Sequence, residues 1–148
     1  MTGMKYSKVS AGRIFLVRFD HRDDLIHEIE KFVAREKISL GTMILLGALE
    51  KGEIVTGPEE NRLPASPNWG SFDGAWEVFG QGIIISENGA DPKIHLHCSL
   101  GKKERTLTGC LRKTAEVFVT VEAVITELTG ISPERNRDSV TGQNLLHF

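Results

Sequence analysis

No stretch of this 148-residue chain approaches a membrane span, since apolar runs such as Met43–Leu46 and Ile83–Ile85 fall far short of the roughly 20 residues a crossing needs. Excess charge is missing too. With 18 Lys and Arg against 20 Asp and Glu, the formal net charge is −2, which excludes a polycation that holds nucleic acid or an anionic membrane by bulk attraction. Residues 1–10 carry no apolar run ahead of a small-residue cleavage site; no secretory signal is legible, and a cytoplasmic location is expected. Cysteine is scarce: Cys98 and Cys110 are the only two. Without an export signal they are expected to stay reduced, which leaves them for packing or for metal. The chain also lacks a phosphate-binding G-x-x-x-x-G-K-[ST] loop, a G-x-S-x-G elbow and a dinucleotide fingerprint.

What is present suits one folded domain over residues 1–148, with 40% hydrophobic and 26% charged residues and enough length for a real core. Arg13 to Phe19 carries the β-favouring residues of a first strand, read as buried on both faces. Asp20 offers an N-cap, and Leu25, Ile26, Ile29, Phe32 and Val33 recur at helical spacing, so the main helix is expected over residues 22–36. His21 and His27, at its start and flank, read as surface or capping residues. Thr42 to Leu49 is a buried strand that turns at 50–53 into Ile54 and Val55. Residues 56–74, with Pro58, Pro64 and Pro67, read as a long surface loop within the domain, on which Trp69 and Phe72 favour docking. Trp76 to Ile85 reads as a strand pair or one strand bulged at Gly80 and Gly82. Ile94–Leu100 and Thr106–Leu111 flank a charged tip, 101–105, as the arms of a hairpin, and Glu116–Ile125 reads as the last strand. Leu145, Leu146 and Phe148 would form a small apolar plug. The expected class is α/β of the α+β kind: a mostly antiparallel sheet with one main helix packed on it.

Chemistry points to the hairpin. His95 and His97 are one residue apart, and the two-residue period of a strand puts both imidazoles on one face, about 6–7 Å apart at the backbone. If the tip closes so that Leu100 pairs with Leu107, His97 falls opposite Cys110 and three donors share that face. A zinc-class divalent metal takes imidazole nitrogen and thiolate sulfur, and three protein ligands leave a fourth position open. The other reading of the His pair is two exposed polar residues on a hairpin. Cys98 points to the opposite face as a small buried hydrophobe. Glu77 and Glu116 are weaker candidates as inward-facing carboxylates, and Lys102, Lys103 and Arg105 form the only compact basic cluster in the sequence.

The order of these elements resembles the plants-and-prokaryotes conserved (PPC) domain, of the stand-alone prokaryotic type. Gly12-Arg13-Ile14-Phe15, Asp24-Leu25, Gly47-Ala48, Trp76-Glu77-Val78, Ile94-His95-Leu96-His97, Thr108-Gly109-Cys110-Leu111 and Ala115-Glu116-Val117 carry the resemblance, from about Ser10 to the end. It implies an α/β fold assembled as a homotrimer, and a histidine cluster able to hold a metal such as zinc. Cys110 stands where the family pattern usually has a third histidine, and Thr108 where it has a glycine. Plant members add an AT-hook that reads DNA; no Arg-Gly-Arg core occurs here. The leading expectation is therefore a homotrimeric protein holding Zn2+ or another divalent transition metal on His95, His97 and Cys110, with no defined reaction. The alternatives are a DNA-associated regulatory module, expected to bind DNA weakly at this net charge, and a metal-dependent hydrolase or lyase.

Overall fold

The structure, a computed structural model, describes residues 3–148. Among these residues it is a mostly antiparallel β-sheet with a single helix. The elements run β1 (Ser10–Asp20), α1 (Leu25–Glu36), β2 (Leu40–Pro58), β3 (Pro67–Glu87), β4 (Lys93–Lys102), β5 (Arg105–Thr129), β6 (Glu134–Arg137) and β7 (Asn144–His147). The sheet order is β1-β5-β2-β3-β6-β7, with β4 bridging β3 and β5. Because β5 also pairs with β2 along most of its length, the pairings β2–β3–β4–β5 close into a circuit.

The helix begins later than the sequence suggests. Asp20 is still paired in β1 with Thr120, so Asp24 caps α1, its side chain accepting from His27 N–H at 3.3 Å. Lys37 in the left-handed region ends it. Leu25, Ile29 and Val33, four residues apart, are buried against the sheet on a face formed by Met43, Leu45, Leu96, Cys98, Ala123 and Ile125. Cutting Ile29 back to alanine there would cost about 2–5 kcal/mol.

The other face of the sheet is uncovered, which corrects the reading of β1 as buried on both sides. Only Phe19 of β1 is buried, while Leu16 is 85% exposed. Across the register Leu16 sits beside Val124 and then Ile44, and one row along Leu46 sits beside Phe79. All five are exposed large apolar side chains.

Several breaks expected from composition are absent. The supposed loop over 56–74 shrinks to the link between β2 and β3, because Pro58 and Pro67 pair with each other at the end of the ladder and residues 67–74 belong to β3. Strand-end prolines lose no ladder hydrogen bond there. Phe72 is consequently core, stacked edge-on to Trp76 at 6.4 Å. β3 runs through Gly80 and Gly82 with unbroken register to both neighbours, so neither marks a bulge. Leu145 and Leu146 lie on β7, exposed, and with Phe148 form no plug. Glu77 is exposed and faces no interior.

One ion pair clamps the irregular start of β1. Arg13 Nε and Nη2 donate to the two carboxylate oxygens of Glu127, each at 2.9 Å, across the register shift between Ala11 and Ile14. These bonds hold the Glu127 carboxyl down at about 2, against an ordinary 4.5. Because the folded value is the lower one, the clamp stabilises the protein fully above pH 4.5, and that stability is lost as pH falls through about 2. Glu127→Gln is expected to flatten the pH dependence of the urea midpoint across this window. An unchanged acid slope in the variant would show that the clamp contributes nothing.

Candidate metal centre

The β4–β5 hairpin closes on a two-residue tip, Lys103-Glu104, because Lys102 pairs directly with Arg105. The tip is tighter than expected, yet its register is the one that sets Leu100 against Leu107 and His97 against Cys110. His97–Cys110 is the last pair of that ladder. Cys110 is paired at the same time with Val55 of β2, and beyond it β5 follows β2, with Arg112 opposite Glu53. β4 continues alone beside β3, carrying His95. The two strands therefore part immediately after the His97–Cys110 pair, and the space between them is open.

Two glycines make this junction fit. A Cβ on Gly109 would strike the backbone carbonyl of Val55, so only glycine lets β5 lie against β2 one residue before Cys110. A Cβ on Gly82 would fall 2.9 Å from the His95 carbonyl oxygen and 2.6 Å from Ile94 Cδ1, so its absence lets β3 sit close behind His95. Thr108, in place of the expected glycine, meets its cross-strand neighbour Ser99, the two hydroxyls 3.0 Å apart.

His95, His97 and Cys110 come together, their ligand atoms all within 4.8 Å of one another. His95 Nε2 and His97 Nε2 are 3.2 Å apart. Edges of a tetrahedral site with nitrogen and sulfur ligands are ~3.5 Å by the usual bond lengths, and the two nitrogens already stand near that spacing. The donor set suits a borderline-soft divalent ion. His97 is exposed, His95 half-buried and Cys110 buried. Burial, with smaller contributions from Arg135, His97 and Arg112, lowers His95 to about 4 from 6.5, so its imidazole is neutral at pH 7 with a lone pair free to coordinate. Arg112 Nε donates to Cys110 Sγ at 3.1 Å.

The remaining candidates separate from the triad. Cys98 is buried in the core on the helix side, and burial pushes its thiol up to about 12; neither cysteine is disulfide-bonded. Glu116 pairs with Lys51 at 3.2 Å, which holds its carboxyl below the ordinary range. Lys102 and Arg105 lie over the Trp76 ring, at 6.0 and 5.1 Å, so the basic tip is partly spent covering an aromatic. His21 Nδ1 accepts from Val119 N–H at 3.1 Å, a structural role.

Arg112, Arg135 and Arg137 escaped the sequence reading. They line a cavity of about 670 Å³ that begins at His95 and Cys110, while a second of about 240 Å³ lies on the His97 side of the same triad. Arg112 had a local signal, since its position two residues past Cys110 keeps it on one face of a strand. Arg135 and Arg137 had none, because β6 reaches the site only through parallel pairing of Ser86 with Glu134.

The family model for the Plants and Prokaryotes Conserved domain matches residues 6–129. The chain belongs to this family. A plant- and prokaryote-conserved (PPC) protein from Pyrococcus horikoshii is 26% identical, with a TM-score of 0.84 and 98% of each chain covered. A metal-containing protein from Archaeoglobus fulgidus is 28% identical, with a TM-score of 0.87 over 98% of this PPC chain and 100% of its own. A candidate DNA-binding protein from Ralstonia eutropha, 16% identical with a TM-score of 0.75 over 90% of each chain, shares the fold alone. Among curated proteins none matches in sequence.

The depressed His95 value gives a direct test. In the metal-free protein its ring resonances are expected to titrate near pH 4, and Arg135→Gln should move that midpoint upward by removing a nearby positive charge, while burial keeps it below 6.5. The same shift makes His95 a source of acid instability, since stability falls as pH drops from 6.5 through about 4. A His95 midpoint at or above 6.5 would show that the ring is not desolvated.

Proposed function

We propose that this PPC protein binds one zinc-class divalent ion per chain through His95, His97 and Cys110, and that it works as a homotrimer. The convergence of three soft or borderline donors within 4.8 Å, on strands held at fixed register, carries the metal reading. The Archaeoglobus fulgidus relative being a metal-containing protein supports it. Cysteine in the third position supplies a thiolate in place of an imidazole, which favours zinc-class ions over hard cations such as Mg2+. When bound, such an ion would act as a Lewis acid with a coordination position left open. A hydrolase or lyase reaction is the chemistry that position would serve, though the residues around it name no substrate.

Affinity for zinc is expected to fall in acid, as protons compete for imidazole and thiolate. His97→Ala should abolish stoichiometric zinc binding in calorimetry. Cys110→His should keep it, and Cys110→Ser should weaken it by about tenfold or more, a neutral hydroxyl being a poorer donor. Full zinc content in the double variant His95→Ala plus His97→Ala, measured by elemental analysis on untagged protein, would place the ion elsewhere.

The number three is what the resemblance to the PPC family implies, and the uncovered apolar face supports association of copies. Exposed Leu16, Val124, Ile44, Leu46 and Phe79 on two adjacent rows of one sheet face are what an obligate interface buries and what a free monomer does not tolerate well. Sedimentation equilibrium is expected to give three times the 16.4 kDa chain mass, and Leu46→Glu with Phe79→Glu to reduce it to one. A wild-type monomer at micromolar concentration would defeat this reading. DNA association is the weaker alternative: the net charge of −2 is repeated in every copy of an oligomer, and two of the three cations at the β4–β5 tip are engaged with Trp76.

A further inference from the structure

The larger cavity is charged against the grain of the whole chain. Lys93, Arg112, Lys113, Arg135 and Arg137 line it against only Asp24, Glu30 and Glu87, a local surplus of two positive charges in a protein whose net charge is −2. The carboxylates are partly committed elsewhere: Asp24 caps α1 and Glu87 accepts from Asn144 Nδ2 at 3.3 Å. Among the described residues, Lys93, Arg112, Arg135 and Arg137 form no ion pair; Arg112 Nε donates to Cys110 Sγ at 3.1 Å, and Lys113 is engaged by Glu53 at 3.5 Å and by the Trp69 ring at 4.5 Å.

Arg135 is the decisive residue. Its backbone is fixed on both sides, by Glu87 of β3 and by Leu146 of β7, and its Nε is buried without a hydrogen-bond partner. Arg135 also lines the cavity, and a guanidinium offers five donors in a planar fork suited to carboxylate or phosphate oxygens. Arg137, two residues on, lines the same cavity. Both lie on the C-terminal hairpin, outside the residues 6–129 that the family model matches.

We propose that this cavity is a binding site for a small organic anion bearing a carboxylate or phosphate group, held by Arg135, Arg137 and Arg112 with its anionic end directed toward the triad. The volume, about 670 Å³, is that of a small-molecule site. Trp69, under Lys113, supplies an aromatic part of the wall. Should the metal reading hold, the bound anion would lie beside the ion. The cations, however, are the protein's own, and the site does not require the metal.

Isothermal titration of the metal-free full-length protein with inorganic phosphate and, separately, with succinate at constant ionic strength tests this. Saturable binding of at least one probe is expected, with Arg135→Gln and Arg137→Gln each weakening it about tenfold. Lys103→Gln, at the remote β4–β5 tip, is expected to leave it unchanged. Binding of phosphate alone identifies a phosphorylated ligand, and binding of succinate alone a carboxylic acid. Circular dichroism confirms that the variants fold, and because Arg137 is exposed its substitution keeps the test usable if Arg135→Gln does not. No saturable binding of either probe below ~20 mM, or equal weakening by Lys103→Gln, would overturn the proposal. Zinc uptake without anion binding removes this site and spares the metal reading; anion binding without zinc uptake does the reverse.

Discussion

The pair His97–Cys110 is where β5 changes neighbours, and the rest of the site follows from that exchange. Up to this pair β5 is the second arm of a hairpin with β4; from it onward β5 lies along β2. Were the hairpin ladder to continue, Arg112 would pair with His95 and fill the gap between the strands. Instead Arg112 pairs with Glu53, its guanidinium turns back onto Cys110, and a cavity opens beside His95. Gly109 enforces the exchange sterically, because any side chain there would collide with the Val55 carbonyl. A one-residue slip of the hairpin would send Cys110 to the far face, so the His95, His97 and Cys110 cluster and the cavity are set by the same register.

How much of this was legible follows from how local each signal is. The donor triad was readable, because strand periodicity and one assumed turn suffice to place His95, His97 and Cys110 together. Helix α1 was readable from Leu25, Ile29 and Val33, although the N-cap was misplaced, since Asp20 and Asp24 are both good caps and only the pairing of Asp20 with Thr120 decides between them. Strand lengths were not readable. β2 and β5 pass through bulges, at Leu49/Lys51 and Gly52/Glu53, that composition presents as turns. Pro58 and Pro67 likewise looked like loop markers and are the last rung of a ladder.

Burial misled for a different reason. Alternating apolar residues in Arg13–Phe19 were taken to mean cover on both sides, yet α1 covers one face and Ile14 and Leu16 on the other stay exposed. An apolar residue in a strand says that something should cover it, without saying whether the cover belongs to the same chain. The same limit applies to Arg135 and Arg137, whose place beside His95 depends on a short parallel pairing between segments about fifty residues apart.

The two sheet faces consequently divide the work. The helix-side face, with Cys98 among its fully apolar neighbours, supplies stability and holds a thiol too basic to react. The opposite face joins exposed aliphatic rows directly to the triad: Leu16, Val124 and Ile44 lead through Gln81 to His97, and Thr42 and Ile83 lead to His95. A protein that covers one face of its sheet places the His95, His97 and Cys110 cluster at the boundary between what is buried within one copy and what stays exposed. Charge gathers at the same boundary, since Lys93, Arg112, Lys113, Arg135 and Arg137 outnumber Asp24, Glu30 and Glu87 around the cavity that begins at His95.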